Sequence, residues 1–148
     1  MPIPALNEHG MLPDGLYECT SEEIRTRFGA FNASDQRPRL FRDFERYITE
    51  VRSAGIGKYI VVDGSFVTHK PDPSDIDVLL VLKDDLDMTR PMPPFEYNAR
   101  SRKYVKREFG LDFYVGFEHD PSSTKIIDVF RQVKHQPELV KGVLKIVL

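Results

Sequence analysis

The chain has 148 residues, 41% hydrophobic and 30% charged, with 21 Lys and Arg against 23 Asp and Glu and a net charge of −2. That balance is the one expected of a soluble globular protein of one domain, residues 1–148, large enough to bury a core. It excludes a global attraction to nucleic acid, so RNA would need a local basic patch and DNA binding is not expected. The lone cysteine, Cys19, excludes an internal disulfide and fits a reducing compartment. No apolar run approaches the ~20 residues of a membrane span, and the N-terminus lacks a signal pattern. A cytoplasmic location without a membrane partner is the resulting expectation.

Residues 1–16 carry Pro2, Pro4, Pro13, Gly10 and Gly15, which predicts an irregular N-terminal arm. Thr20-Ser21-Glu22-Glu23 has the form of a capping box and predicts a short helix stopped by Gly29. In residues 35–54, Leu40, Phe41, Phe44, Tyr47, Ile48, Val51 and Ala54 recur at helical spacing. Arg42, Asp43, Glu45, Arg46 and Glu50 take the other side, and Gly55 and Gly57 end this longest helix. Residues 59–62 are short and β-branched, which predicts a buried strand. Asp63 then precedes a Gly64-Ser65 turn, a helical turn over residues 66–69, and a passage extended by Pro71 and Pro73. Residues 76–82, apolar on both faces after an acidic start, predict a strand inside the sheet.

Residues 83–94 hold Asp84, Asp85, Asp87 and three prolines and predict a loop. Its acids are read as solvated, since a straight strand puts Asp84 some ~30 Å from Asp75. Residues 95–109 predict one basic helix, with Arg100, Arg102, Lys103, Lys106 and Arg107 interleaved with Tyr97 and Tyr104 and closed by Gly110. Such a helix binds RNA backbone or substrate phosphates, or else pairs its cations with the acidic loop before it. The second reading is preferred. Residues 111–115 predict a third strand, and residues 118–121 a turn. A helix over residues 122–135 is expected to bury Ile126, Ile127, Val129, Phe130 and Val133. The last strand, residues 142–148, is expected to expose Lys145. His119 and His135 have no partner at metal-ligand spacing and are read as surface residues.

The chemistry concentrates between residues 58 and 83. Asp75 and Asp77 stand at i and i+2 where a strand begins, so both point to one face. Two such carboxylates are costly unless a cation lies between them, and Mg²⁺ is held by one or two carboxylates plus substrate phosphates. Just upstream, Gly64-Ser65 offers a backbone N–H and a hydroxyl to a phosphate, and Lys70, with His69, lies in the excursion that follows. Asp112, a lone acid opening an aromatic strand, needs either a cation or, at a sheet edge, solvent or Arg107. Other frames fail. An EF-hand begun at Asp72 puts Ile76 and Asp77 at its fifth and sixth positions, and one begun at Asp75 puts Leu79 at the fifth. No glycine-rich run ends in Gly-Lys-Ser/Thr, and Asp63-Gly64-Ser65-Phe66-Val67 is not Gly-x-Ser-x-Gly.

Gly64-Ser65, nine residues, then Asp75-Ile76-Asp77 followed by Val78-Leu79-Leu80-Val81 resembles the signature of the polymerase-β-type nucleotidyltransferase superfamily. Leu12-Pro13-Asp14-Gly15, Arg27-Phe28-Gly29, residues 64–78 and the strand at residues 141–148 extend the resemblance to small, poorly characterised bacterial nucleotidyltransferase-like proteins. The resemblance implies an α+β (α/β) fold, a nucleotidyltransferase-like mixed β-sheet with helices packed mainly on one side. It implies that Asp75, Asp77 and Asp112 bind Mg²⁺ (or Mn²⁺), with Asp112 as general base or orienting group. Gly64, Ser65 and Lys70 then hold the phosphates of a nucleoside triphosphate such as ATP. The implied activity is transfer of NMP to a hydroxyl of a protein or RNA acceptor, in the setting of a toxin–antitoxin pair or defence system. The alternative is a non-catalytic module of that fold binding a nucleotide, RNA or partner protein. Where related small enzymes carry Gly-Ser-x-Ala-Arg-Gly, this chain has Phe66, Val67, Thr68 and His69 after the serine, which bears on phosphate geometry and acceptor class.

Overall fold

Strands whose residues are apolar on both faces need covering on both, and here helices do so unequally. The computed structural model describes residues 3–29, 35–70, 73–133 and 135–148. In chain order the elements are β1 (Leu16–Glu18), α1 (Ser21–Phe28), α2 (Gln36–Ala54), β2 (Gly57–Asp63), a 3₁₀ turn (Ser65–Val67) and β3 (Asp77–Leu82). There follow α3 (Pro94–Ala99), α4 (Arg102–Phe109), β4 (Asp112–Phe117), α5 (Pro121–Arg131) and β5 (Val143–Val147). One five-stranded sheet runs in the order β1-β5-β2-β3-β4. It is mixed: β2 is antiparallel to β3 and β5, whereas β1–β5 and β3–β4 are parallel.

Alternation sorts the strand residues into two cores. Ile60 and Val62, Val78, Leu80 and Leu82, Leu144 and Ile146, and Phe113 face α1–α4, where Ile24, Phe28, Phe44, Tyr47, Val51 and Val105 meet them. Tyr59, Val61, Leu79, Val81 and Val143 form a smaller core under Phe130 of α5. The protein is therefore α+β, a mixed sheet with helices mainly on one side. As expected, β3 is an interior strand. Thr20 caps α1 through a complete capping box with Glu23, and Gly55 ends α2 in the left-handed conformation.

Several expectations are corrected. The single helix over residues 95–109 is two, because the Ser101 side chain accepts from Tyr104 N and starts a new helix at Arg102. The helix over residues 122–135 ends at Arg131, where Gln132 turns extended to bridge to Val140. Val129 is 61% exposed, and the small Ser123 is buried in the helix interface instead, against Gly116 of β4. On β5 the outward residue is Val147, while Lys145 lies 4.3 Å from the centre of the Tyr59 ring. The arm is not free: Ile3 and Leu12 are buried, and β1 follows it, too short to leave a periodic signal. The passage at Pro71 lies outside the described residues. Among the described residues no helix is long and apolar enough to cross a membrane.

One buried cation ties α2 to the segment that carries the Gly-Ser turn. Arg37 is fully buried and donates to the carbonyls of Phe28 (3.0 Å), Phe66 (2.6 Å), Thr68 (2.7 Å) and Lys70 (2.6 Å). Burial pulls its pKa down to about 10, so it stays charged at neutral pH. Arg37→Met is expected to strip these carbonyls of their donor and cost about 3 kcal/mol in urea unfolding. A loss below about 1 kcal/mol would show that the loop holds its shape without the guanidinium.

Candidate metal centre

Register brings the acids together. The antiparallel β2–β3 pairing sets Asp63 opposite Asp77, and the parallel β3–β4 pairing sets Asp77 opposite Asp112. By alternation these three share the face of Val61, Leu79 and Tyr114, the face that α5 covers farther along. Asp75, two residues before Asp77, joins them. One carboxylate oxygen each of Asp75, Asp77 and Asp112 lies within 4.8 Å of the others, and all three residues are half-buried. The sequence-derived trio thus converges in space. Asp63, not singled out in the sequence, is buried beside it, its Oδ1 2.9 Å from Lys141 Nζ.

The charges strain against one another. Burial, then Asp63, Asp75 and Asp112, push the Asp77 carboxyl up to about 7. Burial and the hydrogen bond to Asp112 raise Asp75, while Lys70 and Lys106 oppose the rise. Asp112 is held below the usual range, chiefly by Lys106, whose ammonium is 2.8 Å away. Three convergent, oxygen-only ligands, of which Asp77 retains a proton near neutrality, suit a hard divalent cation, which favours their ionised forms.

Beside this cluster the Gly64 turn makes its approach. Gly64 has φ +100°, and a Cβ there would stand 3.3 Å from Asp77 N and 3.5 Å from its carboxyl carbon. The positive φ calls for glycine, and the approach to Asp77 N leaves little room for a side chain. The Ser65 hydroxyl has no protein partner among the described residues, while the Ser65 carbonyl takes Thr68 N and Oγ1 at 3.2 and 2.6 Å. Lys70 has an exposed side chain and acts on Asp75, and its carbonyl is held by Arg37. His69, its companion in the sequence reading, is turned away: its N–H donates to Gly10 O at 3.0 Å and its ring packs against Gly10.

The basic helix is partly engaged, but not with the acidic loop. Asp84 pairs with Lys58 and Asp87 with Arg90. Lys106 takes Asp112, in place of the Arg107 expected, because Arg107 meets Glu108 and the Tyr104 ring. Arg102 lies 5.0 Å over Tyr114. With Lys103 and Lys106 it rims a cleft of about 400 Å³ that ends on Asp112. Larger concavities, at residues 18–23 and 129–137, include none of the carboxylates. His119 does gain partners, since Asp84 from the preceding loop meets Glu118 and His119. Lys58 already bridges Glu118 and Asp84 there, so the protein supplies that group's cation itself.

Lys106 and Lys141 were beyond the sequence. Each reaches its acid through a chain reversal or a neighbouring strand, with no fixed spacing to reveal it. Asp63 did leave a signal: an acid closing a wholly apolar strand.

Fold and site together define a mixed-sheet α+β protein with a three-carboxylate centre against a glycine turn. The chain belongs to a family of unknown function, DUF6932, whose model matches residues 4–147. No curated protein and no solved structure matches it.

Asp77→Asn is expected to stabilise the metal-free protein by about 1–2 kcal/mol at about pH 8. The folded-state pKa lies above the unfolded value, so the wild type loses stability as pH rises from about 4 to about 7 and levels off above that. The gain should therefore be smaller at about pH 5, as urea unfolding at both pH values will show.

Proposed function

We propose that this protein is a nucleotidyltransferase of the polymerase-β type, dependent on Mg²⁺ or Mn²⁺, that moves NMP from a nucleoside triphosphate to a protein or RNA hydroxyl. The observation that carries this reading is the convergence of Asp75, Asp77 and Asp112 beside the Gly64 turn. In this reading the three aspartates hold the divalent cation, which supplies charge neutralisation on the triphosphate and the departing pyrophosphate. Ser65, through its unpartnered hydroxyl, and the Gly64 backbone orient the β- and γ-phosphates, with Lys70 adding a cation from the same loop. Asp112 accepts the proton of the acceptor hydroxyl as its oxygen bonds to the α-phosphorus and the bond to pyrophosphate breaks. Lys106 lets go of Asp112 for this to occur. The cleft edged by Arg102, Lys103 and Lys106 is the way in for the acceptor. Such chemistry fits a cytoplasmic protein of a toxin–antitoxin or defence system.

One observation favours a second reading. The Lys106 ammonium already sits on Asp112. A protein that supplies its own cation there is a non-catalytic module binding a nucleotide, RNA or partner protein. Calorimetric titration of each nucleoside triphosphate, with Mg²⁺ or Mn²⁺, into wild type and Asp75→Asn/Asp77→Asn separates the two. Metal-dependent binding that the double variant loses by tenfold or more is expected. No binding by a folded wild type would favour the module.

A further inference from the structure

The Leu12-Pro13-Asp14 stretch and the start of the last strand have no part in the reading above, yet they meet at one point. Leu12 O accepts from Gly142 N at 2.9 Å, and the Pro13 carbonyl lies against Gly142 so closely that only a glycine fits. Arg131, at the end of α5, accepts from Lys141 N through its carbonyl at 2.8 Å. Its guanidinium holds Asp14 at 2.6 Å. Two separate segments, residues 12–14 and the end of α5, therefore fix the backbone at Lys141. What they fix is a lysine whose side chain is 15% exposed and whose ammonium lies 2.9 Å from Asp63, itself 4% exposed. That pair is an ion pair outside hydrogen-bonding geometry at Asp63 Oδ1, and Asp63 is the register partner of Asp77.

We propose that Lys141 and Asp63 are a positioning pair that sets the cation affinity of the centre: Lys141 restrains a fourth carboxylate, so that only Asp75, Asp77 and Asp112 serve as ligands. The inference rests on the reading of that trio as a divalent-cation site. The physical ground is the asymmetry of breaking a buried pair. Without Lys141, a buried carboxylate opposite Asp77 is left to find another cation, and the nearest place for one is the centre. Without Asp63, a buried ammonium is left beside Asp77, where it competes with the metal. Removing both leaves the charge as it was.

The test is titration of Mn²⁺ into the metal-free full-length chain, followed by the paramagnetic resonance of free Mn²⁺, with urea unfolding alongside. Lys141→Met is expected to bind Mn²⁺ at least tenfold more tightly than wild type, and Asp63→Asn at least tenfold more weakly. The double variant Asp63→Asn/Lys141→Met should return to within about threefold. A merely structural pair would lower stability in both single variants without moving Mn²⁺ affinity in opposite directions, and that result overturns the proposal. If Lys141→Met does not fold, Asp63→Asn against the charge-neutral double variant decides it: weakening that the double reverses supports the pair, and no difference overturns it. Failure of wild type to bind Mn²⁺ would instead overturn the reading of the centre itself.

Discussion

Like charges at one level of a sheet repel, and the design of this protein follows from that. Carboxylate oxygens within 4.8 Å of one another interact unfavourably by about 3 kcal/mol per ionised pair at an effective dielectric near 20. A domain of this size has on the order of 5–15 kcal/mol of stability in all. The fold answers with cations placed around the rim: Lys141 at Asp63, Lys106 at Asp112, and Lys70 within reach of Asp75. Among the described residues no lysine is paired with Asp77, which sits in the middle and meets the repulsion by holding a proton near neutrality. A position left uncompensated at the centre of a compensated group is where an external cation gains most.

Such a centre needs a stiff surround, and both cores supply it. The interior strands β2 and β3 are buried on both faces and fix the register that aligns Asp63, Asp77 and Asp112. The Gly64 turn has a second support beside its own short 3₁₀ segment. Arg37 reaches from α2 to the carbonyls that follow it, so the longest helix and the loop after Gly64 are tied together. Tyr47, from the same helix, donates to Ala99 O and stacks edge-on against Phe109 and Phe113. The helix that anchors one side of the site thus also anchors the strand bearing Asp112.

Much of this was legible in the residues. The amphipathic pattern of α2, the capping box at Thr20, the apolar runs of β2 and β3 and the i, i+2 spacing of Asp75 and Asp77 are local signals, and local physics decides them. The break at Ser101 was legible in principle, since a serine that caps its own helix competes with continuation of the one before. The exposed Val129 was not, because which face of α5 turns inward depends on Gly116 leaving room for Ser123 on another strand. Lys106 meets Asp112 only six residues on, across the reversal at Gly110, whereas Lys141 and the burial of Arg37 depend on partners far along the chain. Strand order decides them, and periodicity carries no information about strand order.

The sheet has one further property. Its first strand, β1, is hydrogen-bonded to β5, with Leu16 level with Val143, so the earliest strand lies beside the latest. Closing so long a loop is entropically slow, and the pairing cannot form until every intervening element exists. Asp63, Asp77 and Asp112 are all assembled by strands that precede Lys141. A chain emerging from the ribosome therefore carries its full complement of acids before the lysine that tempers them is made. Until β5 is made, the edge of β2 that it covers stays open, and Asp63 lacks the ammonium of Lys141.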